Sequence, residues 1–235
     1  MRSFLGAGIA VLFVLIFLKV VSGYVEMDTL RPLAAAYVSQ SIGDLGLPNI
    51  LTGILITYRG FDTLGEVAVL FMVAASVGLL LKQDVKAPPA KEVEAAERKA
   101  PAPGEIIATG MQVLMPMIVV FGAYVIVNGH LSAGGGFQGG AIVASAVMLL
   151  VLAKPGSDLN VALLSVVESM AGVFYVGIGI LGIILAAGFL DPRFLPKGEF
   201  GTFISAGAIP LISALLGVKV GAELSVVIDR FRGGS

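Results

Sequence analysis

The chain has 235 residues, 57% of them hydrophobic and only 13% charged, with a mean hydropathy of +0.98. A soluble domain carries roughly 25% charged residues, so this composition indicates an integral membrane protein rather than one or two globular domains. A formal net charge of −1 excludes the basic face that nucleic-acid binding needs. Zero cysteines exclude disulfides, thiolate metal sites and iron–sulfur ligation, and a single histidine, His130, excludes paired-histidine metal motifs. No cofactor is expected in this chain; the redox centres of any enzyme it served would sit on other subunits.

A helix crossing the hydrocarbon core needs ~20 mostly apolar residues. Residues 4–21 give the first span, with Lys19 placed to snorkel to the headgroups. No small-x-small site follows it, so it reads as a retained helix rather than a cleaved signal peptide. Further spans are predicted at 61–81, 106–128 and 137–153, then one within 159–190 and one within 203–228. The apolar stretch 47–58 is too short to cross and reads as interfacial or re-entrant. The expected fold is therefore all-α, a polytopic membrane protein with six transmembrane helices.

Residues 82–104 interrupt this pattern with nine charged residues and four prolines, a composition that stays solvated. The predicted organisation is a two-helix unit at 1–82, a linker at 83–104 and a four-helix unit at 105–235. No internal repeat links the halves, which argues against an inverted-repeat transporter. Six spans place Arg2, Lys82, Lys86, Lys91, Arg98, Lys99, Lys154, Arg230 and Arg232 on one side. Arg31, Arg59, Arg193 and Lys197 fall on the other. The excess predicts both termini in the cytoplasm.

Ionisable residues inside spans cost about 2.5–3.5 kcal/mol each at a helix centre, so each requires a reason. Glu168 lies deep in the fifth span with no opposite charge near it in sequence. Unpartnered, its carboxyl group would be protonated; a lysine or cation beside it would keep it ionised. Either state suits a proton or cation relay, and a neutral Glu bonded across a helix interface is the bland alternative. Asp62 and Glu66 share a helix face at i, i+4, with Arg59 just before them. They form either a cation- or proton-handling pair or, as Thr63-x-x-Glu66, a capping box. Lys219 and Glu223, also i, i+4, read as an internal ion pair or as a boundary pair that reaches water.

The segment 130–140 joins the third and fourth spans and contains five glycines, with Gly134, Gly135 and Gly136 in a row before Phe137. It lacks the Lys-Ser/Thr of a P-loop and reads as a tight turn, with His130 as a polar loop residue or a pH-titrating gate. Pro116 and Pro210 are expected to break helix ladders and free the carbonyls of Gln112 and Ala206. Ser213/Gly217/Gly221, Gly140/Ala144 and Ala141/Ser145 are small-xxx-small stripes that mark helix contacts.

Two of these segments resemble a known family. Gly129-His130 followed by Gly134-Gly135-Gly136-Phe137-Gln138-Gly139-Gly140 resembles the signature of MnhB/MrpB proteins, small subunits of Mrp-type cation/proton antiporters, with Ala133 where the family has proline. Ile209-Pro210-Leu211 leading to Gly217-Val218-Lys219-Val220-Gly221 is similar to the family's last span, with Glu223 where a small residue is expected. Arg59-Gly60-Phe61-Asp62-Thr63-Leu64-Gly65-Glu66 resembles the signature of the Mrp A C-terminal part. That part appears as a separate small subunit in archaeal membrane-bound hydrogenases and sulfane reductases.

The resemblance implies a membrane subunit of an Mrp-like Na+/H+ antiporter module, with Na+ and H+ as transported ions and Asp62 and Glu66 as the cation site. Glu168, Lys219 and Glu223 are relay candidates, and Arg59, Thr63, His130 and the loop 134–137 supporting or gating ones. Implied partners are other antiporter subunits and, in a redox-driven complex, hydrogenase or sulfane reductase subunits with iron–sulfur clusters, all in the plasma membrane. Catalysis by this chain alone is not expected. The alternative is a structural subunit that joins larger antiporter-like and redox subunits.

Overall fold

The computed structural model describes residues 2–25, 29–84, 105–154, 157 and 159–233. The expected linker lies outside the described residues from residue 85 onward. Among the described residues regular structure is helical, apart from one isolated antiparallel bridge between Gly198 and Ser205. The chain forms two compact units, Met1–Ala36 and Tyr37–Ser235. In the first, α1 (Arg2–Ser22) has side chains exposed along its length from Phe4 onward. An apolar helix exposed on all sides is one adapted to hydrocarbon.

The second unit continues from Tyr37 within α2 (Pro32–Leu45) through α3 (Ile50–Gly53), which runs directly into a π-helical turn, Ile54–Tyr58. There follow α4 (Gly60–Asp84), α5 (Glu105–Val127), α6 (Gly136–Ala153), α7 (Val161–Leu185) and α8 (Ile209–Gly233). Six helices, α1 and α4 to α8, are long and apolar enough to cross a membrane, and they occupy the six predicted stretches. Within the short stretch 47–58 only residues 50–58 are helical, and they form no span. Helix α2 has no counterpart among the predicted elements; at 14 residues, with Ser39, Gln40, Ser41 and Asp44 within it, it is too short to cross a bilayer.

Helix α8 is the centre of the unit and packs against α4, α5, α6 and α7. Its apolar window is 61% buried, against 39% or less for the other five. Small residues make that possible. A Cβ at Gly140 of α6 would meet the Gly217 carbonyl oxygen at 2.7 Å, and one at Gly217 would meet Ile126 Cδ1 of α5 at 2.6 Å. Ser213 Oγ donates to the Ile126 carbonyl at 3.0 Å, so the stripe also satisfies its one hydroxyl across the interface. In a bilayer this close approach, through dispersion and interhelical hydrogen bonds, is what holds helices together. The Ala141/Ser145 stripe differs: both residues are exposed, so that face is not buried within the described chain.

Pro116 does lie inside α5. Pro210 does not interrupt a helix, because α8 begins at Ile209 and a first-turn proline replaces an N–H that has no helical partner. The Ala206 carbonyl is not freed either; it accepts from Ile209 N at 3.2 Å. Leu45, Leu47, Ile56, Tyr175, Leu190, Ile209 and Ile212 form the main apolar core at the end of the bundle where α8 starts.

Gly140→Val should lower stability by about 1–3 kcal/mol, the cost of overpacking a tight interface, whereas Ala141→Val should stay within about 0.5 kcal/mol of the parent. Thermal unfolding in detergent checks both.

Candidate functional site

The two signature segments, distant in sequence, form walls of one cavity. Arg59, Thr63 and Glu66 from the start of α4 line it on one side and Gly134, Gly135, Gly136, Phe137 and Gln138 on the other; its volume is about 890 Å³. Asn49 and Thr52 fasten the two. Asn49 Nδ2 lies 2.7 Å from the carbonyl oxygens of Gly129 and Ser132, and Thr52 Oγ1 donates to the Gly129 carbonyl at 2.7 Å. Asn49 also caps α3, accepting from Thr52 N. The φ angles of Gly134 (+153°) and Gly135 (+150°) explain the glycines, since only glycine occupies that region without strain. Phe137 packs beside Val67, Leu216 and Val220, which seats the loop on α4 and α8.

The two acids of α4 separate in role, for Glu66 lines this cavity and Asp62 does not. Asp62 forms an ion pair with Arg59, both about half exposed (46% and 56%). Glu66 is exposed and makes no ion pair with any described residue. Thr63 is not the cap of a capping box: α4 starts at Gly60, and Thr63 Oγ1 donates at 2.7 Å to the Leu55 carbonyl in the π-helical turn. Such single π-turns are frequent at functional sites.

A second polar centre lies deeper, where α4, α7 and α8 meet. Lys219 Nζ of α8 stands 2.8 Å from Glu168 Oε1 of α7 and 3.0 Å from Glu223 Oε2 one turn along α8. Glu223 is fully buried and Lys219 is 6% exposed, so the pair does not reach water as a boundary pair would. Glu168, isolated in sequence, therefore acquires its cation from another helix. Phe71 of α4 places its ring 5.9 Å from the ammonium. Ser169, Gly172, Tyr175 and Lys219 share with Glu168 a cavity of about 620 Å³, closed on the α4 side by Leu64, Val67, Ala68 and Phe71. With all three groups ionised the cluster carries a net charge of −1, which a proton or a cation can neutralise.

His130 is fully buried rather than a surface loop residue, and neither ring nitrogen has a hydrogen-bond partner. Burial holds the imidazole below its ordinary value of 6.5; backbone groups of Thr202, Phe203 and Val127 oppose that shift without reaching hydrogen-bond geometry. Three polar features had no clear sequence signal: the Tyr58–Asp44 hydrogen bond (3.2 Å), the Asp191–Arg193 pair (2.5 Å), and the unpartnered Tyr175 hydroxyl. The Asn49-x-x-Thr52 spacing after Pro48 was the one visible hint of the α3 cap.

Residues 106–226 match the family model described as a domain related to the MnhB subunit of Na+/H+ antiporter, and residues 4–100 match that of MbhE, a subunit of MBH. An uncharacterized protein of Methanocaldococcus jannaschii is 29% identical over 225 residues, covering 84% of each chain. A chain in the structure of the membrane-bound sulfane sulfur reductase (MBS), an archaeal respiratory membrane complex, is 30% identical with a TM-score of 0.80, covering 98% of both chains. A chain of the Mrp complex from Dietzia sp. shares the fold at a TM-score of 0.76 and 22% identity, covering 97% of this chain and 26% of that one.

The depressed folded-state value of His130 fixes the sign of a pH effect. Its stabilising contribution is present above 6.5 and is lost as pH falls below that value towards the folded one, because only the unfolded chain then takes up the proton. Thermal stability should decline between pH 7 and 5, and His130→Gln should flatten the part of the curve below 6.5.

Proposed function

The chain belongs to the family of domains related to the MnhB subunit of Na+/H+ antiporters, and from that membership and the enclosed Glu168–Lys219–Glu223 cluster we propose that it is a membrane subunit of an Mrp-like antiporter module that takes part in exchanging Na+ for H+. The cluster is the observation that carries this reading. Helix cement does not need it: replacing a buried ion triad by apolar residues is often neutral or stabilising. Three ionisable groups inside lipid-thick helices are instead suited to holding and passing on a charge.

In this reading Glu66 is the cation station. It lines a roomy cavity without a fixed counter-ion, whereas Arg59 already occupies Asp62. Sodium, a hard cation, takes oxygen ligands, so Na+ and H+ compete for the same carboxylate, with Asp62 joining when Arg59 swings away. The Lys219 ammonium serves two carboxylates. A proton arriving on Glu168 releases Lys219 to lean wholly on Glu223, and its departure restores the shared state. The net charge thereby alternates without any carboxylate being left alone.

The module sits in the plasma membrane with both termini in the cytoplasm, as the Lys/Arg excess favours. Its partners are other antiporter-like subunits and, where a redox reaction drives the exchange, subunits carrying iron–sulfur clusters. The exposed apolar faces of α4 and α7, including Phe61, Met72, Val173 and Phe174, suit such neighbours.

Sodium-dependent pH change in vesicles containing the intact complex tests the proposal. Glu66→Gln and Glu168→Gln should each lower the initial exchange rate at least about tenfold, equivalent to about 1.4 kcal/mol of barrier. Unaltered exchange in both variants, with the complex assembled, would leave only the structural role.

A further inference from the structure

Helices α4 and α7 both lean on α8 and scarcely touch one another. The space between them is the cavity of about 620 Å³ that holds Glu168 and Lys219. It is a cleft rather than a closed chamber. Ala68 and Phe71 on the α4 wall and Ser169 and Val173 on the α7 wall are all exposed. Phe61 of α4 stacks on Phe189, just past α7, with ring centroids 4.9 Å apart, so the cleft closes at the end where α4 begins. On its floor the side chains of Glu168 and Lys219 keep 12% and 8% of their surface exposed. The ion pair thus shows through to whatever fills the cleft.

The chemistry of that floor limits the occupant. One ammonium serves two carboxylates, so the ionised cluster carries −1. Ionisable side chains within spans almost always face protein or a water-filled cavity, because hydrocarbon offers neither a hydrogen bond nor a counter-charge. A lipid tail in the cleft would leave that charge unmatched.

We infer that the α4–α7 cleft is the docking surface for one transmembrane helix of a neighbouring subunit, and that this helix brings a lysine or arginine to Glu168. The inference rests on the preceding reading of the chain as one subunit of a multisubunit module, and adds which face meets the neighbour and what the neighbour carries. A helix is about 10–12 Å across with its side chains, so it seats one face in the cleft. Gly172 and Gly177 leave room on the α7 wall. A Cβ at Gly177 would meet nothing within 4 Å, and one at Gly172 would meet only the Lys219 stem, at 3.5 Å and beyond. Gly172 is one turn from Glu168, which gives a long basic side chain its way in. Lys219 takes Oε1 of Glu168, and Oε2 is the acceptor that remains for a second cation. With that cation in place the cluster is neutral, and each carboxylate has an ammonium or guanidinium beside it.

Photo-cross-linking of the intact complex in vesicles tests the inference. p-Benzoylphenylalanine at Ala68 and, in a separate variant, at Val173 probes the two walls, and both positions are exposed, so neither replacement disturbs packing within this chain. Each should label the same transmembrane segment of one neighbouring subunit, and that segment should contain a lysine or arginine. Glu168→Gln, or glutamine in place of that basic residue, should each speed release of the neighbouring subunit in detergent at least about tenfold. The double variant should release it more slowly than the product of the two effects, because removing both charges restores neutrality. Adducts with lipid alone, no adduct with protein, a labelled segment without a basic residue, or effects that multiply would each overturn the docked helix. None of these readouts measures exchange. Lipid adducts alone, with exchange lost in Glu168→Gln, would remove the docked helix and leave the antiporter reading. The paired cross-links, in a complex whose exchange survives both Glu66→Gln and Glu168→Gln, would support the docked helix and remove the antiporter reading.

Discussion

One ammonium shared between two carboxylates, inside helices built for hydrocarbon, constrains much of the rest of this molecule. Lys219 is buried on α8 between Glu168, delivered by α7, and Glu223, delivered by α8 itself. Removing the ammonium would leave two carboxylates facing each other unmatched, which in a low-dielectric interior costs several kcal/mol. The centrality of α8 follows from this. A helix that must meet α4, α5, α6 and α7 at once can do so only if much of its surface is small, and Ser213, Gly217 and Gly221 provide that. The small-residue stripe seats α8 against α5 and α6, while the ion pair occupies its α7 side.

The same closeness explains why the motif cavity exists beside the cluster. The loop after α5 can turn back over α8 because Gly134 and Gly135 adopt backbone angles closed to other residues. Asn49 and Thr52 then satisfy the carbonyls that this turn exposes. Without those bonds the loop would hold unsatisfied backbone groups at the bundle's end, and the start of α4 would lose its position opposite Phe137. The π-helical turn gives the Leu55 carbonyl a free lone pair for Thr63, which ties the first turn of α4 to the preceding segment. Glu66 is placed by this chain of local bonds rather than by burial of its own helix.

How much of this the sequence carries depends on the range of the interaction. Spans are local sums of hydropathy, so all six were legible, as were the Arg59–Asp62 and Lys219–Glu223 spacings, which are set by helix geometry alone. Pairings across helices were not. Glu168 looks isolated because its partner stands 51 positions away, and the two signatures give no hint that they share a cavity. His130 looks like a loop residue because burial by the segment around Thr202 and Phe203 is a tertiary fact. The Pro210 reading failed for a related reason: periodicity extends a helix through apolar residues, while the actual start depends on the turn at Ala206, with φ +64°, and Gly207, with φ +60°. Tyr175 is the extreme case, since an aromatic residue in an apolar run reads as core until its hydroxyl is found without a partner.

The distribution of burial indicates where motion is cheapest. Helices α5, α6 and α8 interlock through glycine contacts, whereas the apolar window of α4 is only 11% buried even though it carries Glu66 and walls both cavities. An element with few buried contacts opens or shifts at lower cost than the core it leans on. Helix α4 is also tied just past its middle by Arg230, whose Nη1 donates to the Ala74 carbonyl in the space left by Gly78. Between the Thr63 bond and this tie most residues of α4 are exposed. Phe71, over the Lys219 ammonium, lies in that stretch, as does Glu66. A displacement of α4 would therefore alter the environment of both charge stations together, which is the mechanical requirement for coupling two ions through one protein chain.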